Sequence, residues 1–104
     1  MRVIWMPNAK AAVRETAKYI RKEFGKRDRD KFMQDVREAS RLIGSTPGVG
    51  QPEPLLADRT TTYRCFVVNH LNKIIYWVAA DHIEVADFWD VRREPSTLAN
   101  QVKK

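Results

Sequence analysis

The side chains of this sequence best placed to meet an anionic group are arginines set in or beside aromatic, strand-like stretches, and a row of cations spaced as on one helix face. A strand register that pairs Asn69 with Asn72 brings Arg64 across from Trp77. A guanidinium there can hold a phosphate, or it can contact the indole through a cation–π interaction and meet an acid such as Glu84. Arg92 and Arg93 follow the last strand-like run, where they can grip a target or pair with Asp90 and Glu94. Lys10, Arg14, Lys18, Arg21 and Lys22 recur close to i, i+4 spacing, which suits either a phosphate backbone or the wet side of an amphipathic helix. His70 and His82 fall at turns on opposite ends of one strand, so they do not share a site. Cys65 lies mid-strand with no second thiol or histidine spacing near it, the pattern of a small buried hydrophobe. No metal or other cofactor is expected.

Composition bounds what can position these groups. The 104 residues fit one domain, 1–104, and no composition break divides them. The longest apolar run, Ile74 to Ala80, is far too short to span a bilayer, and the start Met1-Arg2-Val3 lacks a signal-peptide pattern. A cytoplasmic protein without a membrane partner is the expectation, and the single cysteine fits a reducing compartment. The net charge of +6 is unevenly spread: residues 1–44 hold 12 Lys or Arg against 6 Asp or Glu, and residues 45–104 hold 7 against 7. The basic half favours an acidic partner or a nucleic acid, unless it is only a solubilising face.

The elements follow from periodicity. Arg2 to Met6 reads as a strand stopped by Pro7, which suits the first turn of a helix. Ala9, Ala12, Val13, Thr16, Ala17, Ile20 and Phe24 recur as one helix face ending at Gly25. Asp28 is a candidate cap for a second helix with the apolar set Phe32, Met33, Val36, Ala39, Leu42 and Ile43. The short link, 25–28, predicts an antiparallel helix hairpin. Pro47, Gly48, Gly50, Pro52 and Pro54 then mark a long loop. Thr61 to Asn69, Asn72 to Ala80 and His82 to Trp89 read as three strands in two hairpins, turning at His70-Leu71 and Asp81-His82. Ser96 is a candidate cap for a short C-terminal helix.

With two-residue turns, one sheet face carries Tyr63, Cys65, Val67, Ile74, Tyr76, Val78, Ile83, Val85, Asp87 and Trp89, and the helix hairpin is expected to pack there. The other face carries Thr62, Arg64, Phe66, Val68, Ile75, Trp77, Ala79, Glu84, Ala86 and Phe88. That face is too apolar for open water, so the C-terminal tail and a partner protein are expected to cover it.

The order of local motifs resembles the RelE/ParE toxin family over nearly the whole chain. They are a first strand ending in Trp5, an Ala-rich helix ending Tyr19-Ile20, Pro47-x-x-Gly50, Tyr63-Arg64, Ile75-Tyr76-x-Val78, and Phe88-Trp89-Asp90-x-Arg92-x-x-Pro95. The resemblance implies an α+β fold, β-α-α-β-β-β, with an antiparallel sheet against an N-terminal helix hairpin. It implies the toxin of a type II toxin–antitoxin pair, with a cognate antitoxin as partner and oligomers formed through that complex. The family includes inhibitors of DNA gyrase, which work by binding, and ribosome-dependent mRNA endoribonucleases. In the nuclease branch Arg64 and Arg92 match catalytic arginines by position. The lysine pair of some nucleases falls on Leu55 and Ala57, and the tyrosine expected past the second arginine falls near Leu98, so the gyrase branch is favoured. Arg64, Phe66, Trp77, Phe88, Arg92 and Arg93 are the candidate contacts with target or antitoxin. A basic nucleic-acid-binding module that is not a toxin is a further alternative, weakened by the lack of an RNA-stacking signature.

Overall fold

The computed structural model describes residues 1–91 and Val102. Strand β1, Arg2–Trp5, leads through Met6 into helix α1, Pro7–Phe24. Proline opens the helix because its missing N–H is one the first turn leaves unpaired in any case. Ala9, Val13 and Ala17 form its buried stripe, and Arg21 and Lys22 in the last turn complement the helix dipole.

Helix α2, Lys26–Ser45, begins two residues before the candidate cap Asp28, because Gly25 alone makes the turn. Gly25 takes φ 102° and ψ 175°, a region open essentially to glycine, and serves both helices. Its N–H donates to the Arg21 carbonyl at 3.0 Å, and its own carbonyl accepts from Arg29 N–H at 3.2 Å. Phe32, Val36, Ala39 and Ile43 of α2 face the sheet.

The sheet has five strands in the order β1-β5-β4-β3-β2, where β2 is Gln51–Pro52, β3 Arg64–Val68, β4 Asn72–Val78 and β5 His82–Asp90. The α+β class holds, with two additions to the expected antiparallel sheet. β1 runs parallel to β5, with Trp5 beside Val85, and the two residues of β2 pair antiparallel with β3. The intervening helix hairpin carries the chain across the sheet, as a parallel pair requires.

Register departs from the two-residue-turn expectation in an instructive way. The first hairpin pairs Val68 with Asn72, leaving Asn69, His70 and Leu71 in the turn. Asn69 and His70 both adopt positive φ, and Asn69 Oδ1 accepts from Leu71 N–H at 3.3 Å. This one-residue shift turns β3 over, so Arg64 lies across from Tyr76 and Phe66 from Ile74. In the second hairpin Val78 meets Ile83, and Ala79 N–H donates to the His82 carbonyl, so the turn is Ala80-Asp81. That shift is even and preserves the faces until a bulge at Ala86: Tyr76 pairs with Val85, yet Ile75 pairs with Asp87. Asp87 Oδ1 accepts from Phe88 N–H at 2.8 Å at this irregularity.

The helices therefore cover Val68, Ile74, Tyr76, Ile83, Val85 and Phe88, with Phe66 at the margin. The second face gathers Leu56, Tyr63, Ile75, Trp89 and Val102, with Cys65, Trp77 and Ala86 packed alongside. Much of its cover comes from the chain itself, through the loop after α2 and Val102, while Cys65, Trp77 and Ala86 stay part-exposed. Each large aliphatic side chain sealed this way contributes about 1.5–3 kcal/mol.

Candidate functional site

The loop that follows α2 is held to the sheet by two polar fixtures, and both shape the surface near Arg64. Pro47–Val49 forms a 3-10 turn, after which Gly50 leads into β2. Gly50 has an ordinary extended backbone, so its small size rather than its flexibility is needed: an added Cβ would lie 2.6 Å from Tyr76 Oη and 2.8 Å from the Cys65 carbonyl oxygen. Into that space comes the Tyr76 hydroxyl, which accepts from Gly50 N–H at 2.9 Å and donates to the Pro47 carbonyl at 2.7 Å. Arg64 Nη1 donates to the Gly50 carbonyl at 2.8 Å. Three side-chain hydrogen bonds thus clasp the loop. Burial pushes the Tyr76 hydroxyl above the usual tyrosine range, with the Gly50 N–H and the Arg64 charge opposing it. At neutral pH it keeps its proton and stays in the clasp.

The second fixture is an ion pair between Lys73 and Glu53. Glu53 is only 2% exposed, and its Oε2 also accepts from Leu55 N–H, fixing the turn Pro54–Leu56 that inserts Leu56 into the second core. Cys65 lies near this pair, and its thiol is pushed up mainly by burial and secondarily by the Glu53 charge. It is a poor nucleophile there.

Between the clasp and the end of β4 runs an open groove lined by Pro47, Gly48, Thr61, Thr62, Arg64, Trp77 and Val78. Arg64 is half-buried and makes no ion pair with a carboxylate among the described residues. Trp77 Nε1 donates to Glu84 Oε2 at 2.9 Å, and the indole meets the His82 ring edge-on at 6.4 Å. His82 Nδ1 lies 2.8 Å from Asp81 Oδ1, and that hydrogen bond holds the Asp81 carboxyl below its usual range. The groove offers a cation, two hydroxyls and an indole, which suits binding a polar segment.

The candidate residues are brought together only in part. Arg64 and Trp77 line one groove, but the register puts Arg64 on the pleat of Tyr76, so the expected pairing of Arg64 with Trp77 is corrected. Phe88 is 2% exposed and packs edge-on against Phe32 at 5.9 Å, because the bulge turns it to the helices. Phe66 is likewise on the helix side. Phe88 is therefore sealed from a partner, whereas Phe66 stays part-exposed at the margin of the helix-side core. Arg92 and Arg93 lie outside the described residues, as does the tail with Ser96. The sequence reading missed the Tyr76 clasp and the Glu53–Lys73 pair; Pro47-x-x-Gly50 and Ile75-Tyr76 carried the only trace of the clasp. Cations of the α1 stripe, Lys10, Arg14, Lys18, Arg21 and Lys22, are exposed and make no ion pair among the described residues.

No helix among the described residues is long and apolar enough to cross a membrane. No curated protein sequence matches the chain. Among solved structures it is similar to the chromosomal ParDE toxin–antitoxin system from P. aeruginosa, with a TM-score of 0.71 and 16% identity, covering 88% of this chain and 97% of that one. It is also similar to the YoeB dimer from Staphylococcus aureus, with a TM-score of 0.56 and 24% identity, covering 84% and 92% respectively. At these identities the likeness is one of fold. Residues 3–95 match the profile of the ParE toxin of the type II toxin–antitoxin system parDE. With nearly the whole chain matched, the protein belongs to the ParE toxin family of type II toxin–antitoxin systems, and a cognate antitoxin is its partner.

Proposed function

We propose that the chain arrests growth by binding DNA gyrase in the cytoplasm, without making or breaking a bond of its own, and that its antitoxin relieves this. The observation that carries the reading is the clasp. Metal-free RNA cleavage needs cations free to stabilise the phosphate in its transition state, and an acid and a base placed to move protons. Here one Arg64 nitrogen is engaged by the Gly50 carbonyl, and the Tyr76 hydroxyl, completely buried, is held between Gly50 and Pro47 with its ionisation suppressed. Both side chains hold the loop. The positions of the nuclease lysines are Leu55 and Ala57, and the exposed His70 lies at the far end of β4 from the groove.

The alternative, a ribosome-dependent endoribonuclease using Arg64 and Arg92, makes the opposite prediction in a direct comparison. Purified toxin added to a translation reaction should leave the mRNA uncut under our reading, while a supercoiling reaction containing gyrase should be inhibited. Codon-phased cleavage that disappears in an Arg64→Ala, Arg92→Ala double variant would replace our reading with the nuclease one.

A further inference from the structure

At the elbow where α1 meets α2, two aromatic rings stand in the open. Tyr19 is 59% exposed and Phe24 64% exposed, the two highest values among the large hydrophobic side chains described. They lean on each other edge-to-face, with centroids 6.4 Å apart and planes at 75°, and belong to neither core. Such a pair is costly to leave in water.

The rings are set in positive charge. Residues 18–29 hold six Lys or Arg against Glu23 and Asp28. Of those cations, Lys26 and Arg29 pair with Asp30, whereas Lys18, Arg21, Lys22 and Arg27 make no ion pair among the described residues. An aromatic centre with arginine and lysine around it is the composition of a protein-binding hot spot, with charges that steer the approach of an acidic surface. A nucleic-acid strand fits less well. The edge-to-face geometry does not present two parallel ring faces for stacked bases.

We infer that the Tyr19–Phe24 elbow is a surface by which this toxin engages its protein target, docking the two rings into an acidic, apolar-centred patch of gyrase. This rests on the target reading above. Arg21 and Lys22 guide the encounter, and the rings supply the buried contact.

The test is a supercoiling titration with a Tyr19→Ser, Phe24→Ser double variant and a ring-preserving Tyr19→Phe, Phe24→Tyr double variant. Because neither ring belongs to a core, both variants should melt with the wild type. The serine variant should need at least tenfold more protein for half-inhibition, and the ring-preserving variant should match the wild type. An Arg21→Glu, Lys22→Glu variant should weaken inhibition most at low salt. Wild-type toxin that fails to inhibit gyrase would defeat the target reading itself. A serine variant as potent as a fully active wild type would overturn only the elbow's role. So would a serine variant that loses affinity for bare DNA in step with its loss of inhibition, or one that loses only antitoxin.

Discussion

Replacing Tyr76 by Phe isolates the clasp on which the account of the site depends. The ring keeps its volume and its place against the helices, so no cavity opens and the change is confined to the hydroxyl. That oxygen serves Gly50 N–H at 2.9 Å and the Pro47 carbonyl at 2.7 Å. Gly50 is buried, so its N–H loses a partner that water cannot easily replace, at about 1–3 kcal/mol. Pro47 is only half-buried, and water can reach its carbonyl after local adjustment, which limits that loss to roughly 0.5–1 kcal/mol. The sum is about 1.5–4 kcal/mol. For a domain near 100 residues this corresponds to a melting temperature lower by roughly 7–18 °C. Urea unfolding followed by tryptophan fluorescence should show the midpoint falling at unchanged slope. A loss below about 0.5 kcal/mol would mean that the hydroxyl does not hold the loop and would remove the main objection to a chemical role for it.

The remaining expectations concern the same framework. Gly50→Ala drives a Cβ into Tyr76 Oη and the Cys65 carbonyl, so it should destabilise at least as much as Tyr76→Phe, and combining the two should cost less than their sum in a double-mutant cycle. Lys73→Met leaves the Glu53 carboxylate buried without its counter-charge and should cost about 3–5 kcal/mol by chemical denaturation, with Glu53→Gln added to it recovering part of the loss. Gly25→Ala meets no atom within 4 Å, so its penalty is backbone strain alone, about 1–3 kcal/mol, visible as lower thermal stability without loss of helix content. Tyr63 and Tyr76 both have folded pKa values raised, first by burial. Their contribution is therefore complete below the ordinary tyrosine pKa and is lost as pH rises through the folded values, so melting temperature should fall across the alkaline range while tyrosinate absorbance rises late. Tyr63 and Tyr76 ionising in the ordinary tyrosine range in the folded chain would contradict this.

Much of the scaffold was legible because its signals are local. Pro7, Gly25 and the apolar spacing of Ala9, Val13 and Ala17 locate α1, and the run Asn72–Val78 reads directly as a central strand. The faces were less legible because they depend on register, which depends on turn chemistry. Asn69 and His70 accept positive φ and make a three-residue turn, and that single extra residue exchanges Arg64, Phe66 and Val68 with their neighbours. The bulge at Ala86 then reverses the second half of β5, carrying Phe88 into the core and Asp87 and Trp89 to the other side. Neither event has a strong signature in hydrophobic alternation. Nor does the clasp, whose partners Pro47, Gly50, Arg64 and Tyr76 are joined over as many as 29 residues of sequence. A sheet apolar on both faces called for a cover, and the chain's own loop supplies much of it, so the antitoxin follows from family membership.

The central claim is that this ParE-family toxin acts by occupying a protein target. It is tested most directly by titrating the purified chain into a gyrase supercoiling reaction with and without equimolar antitoxin. The account predicts concentration-dependent loss of supercoiled product, restored by the antitoxin and retained in Tyr76→Phe at a temperature where that variant is folded. Full supercoiling at saturating, folded toxin would contradict it.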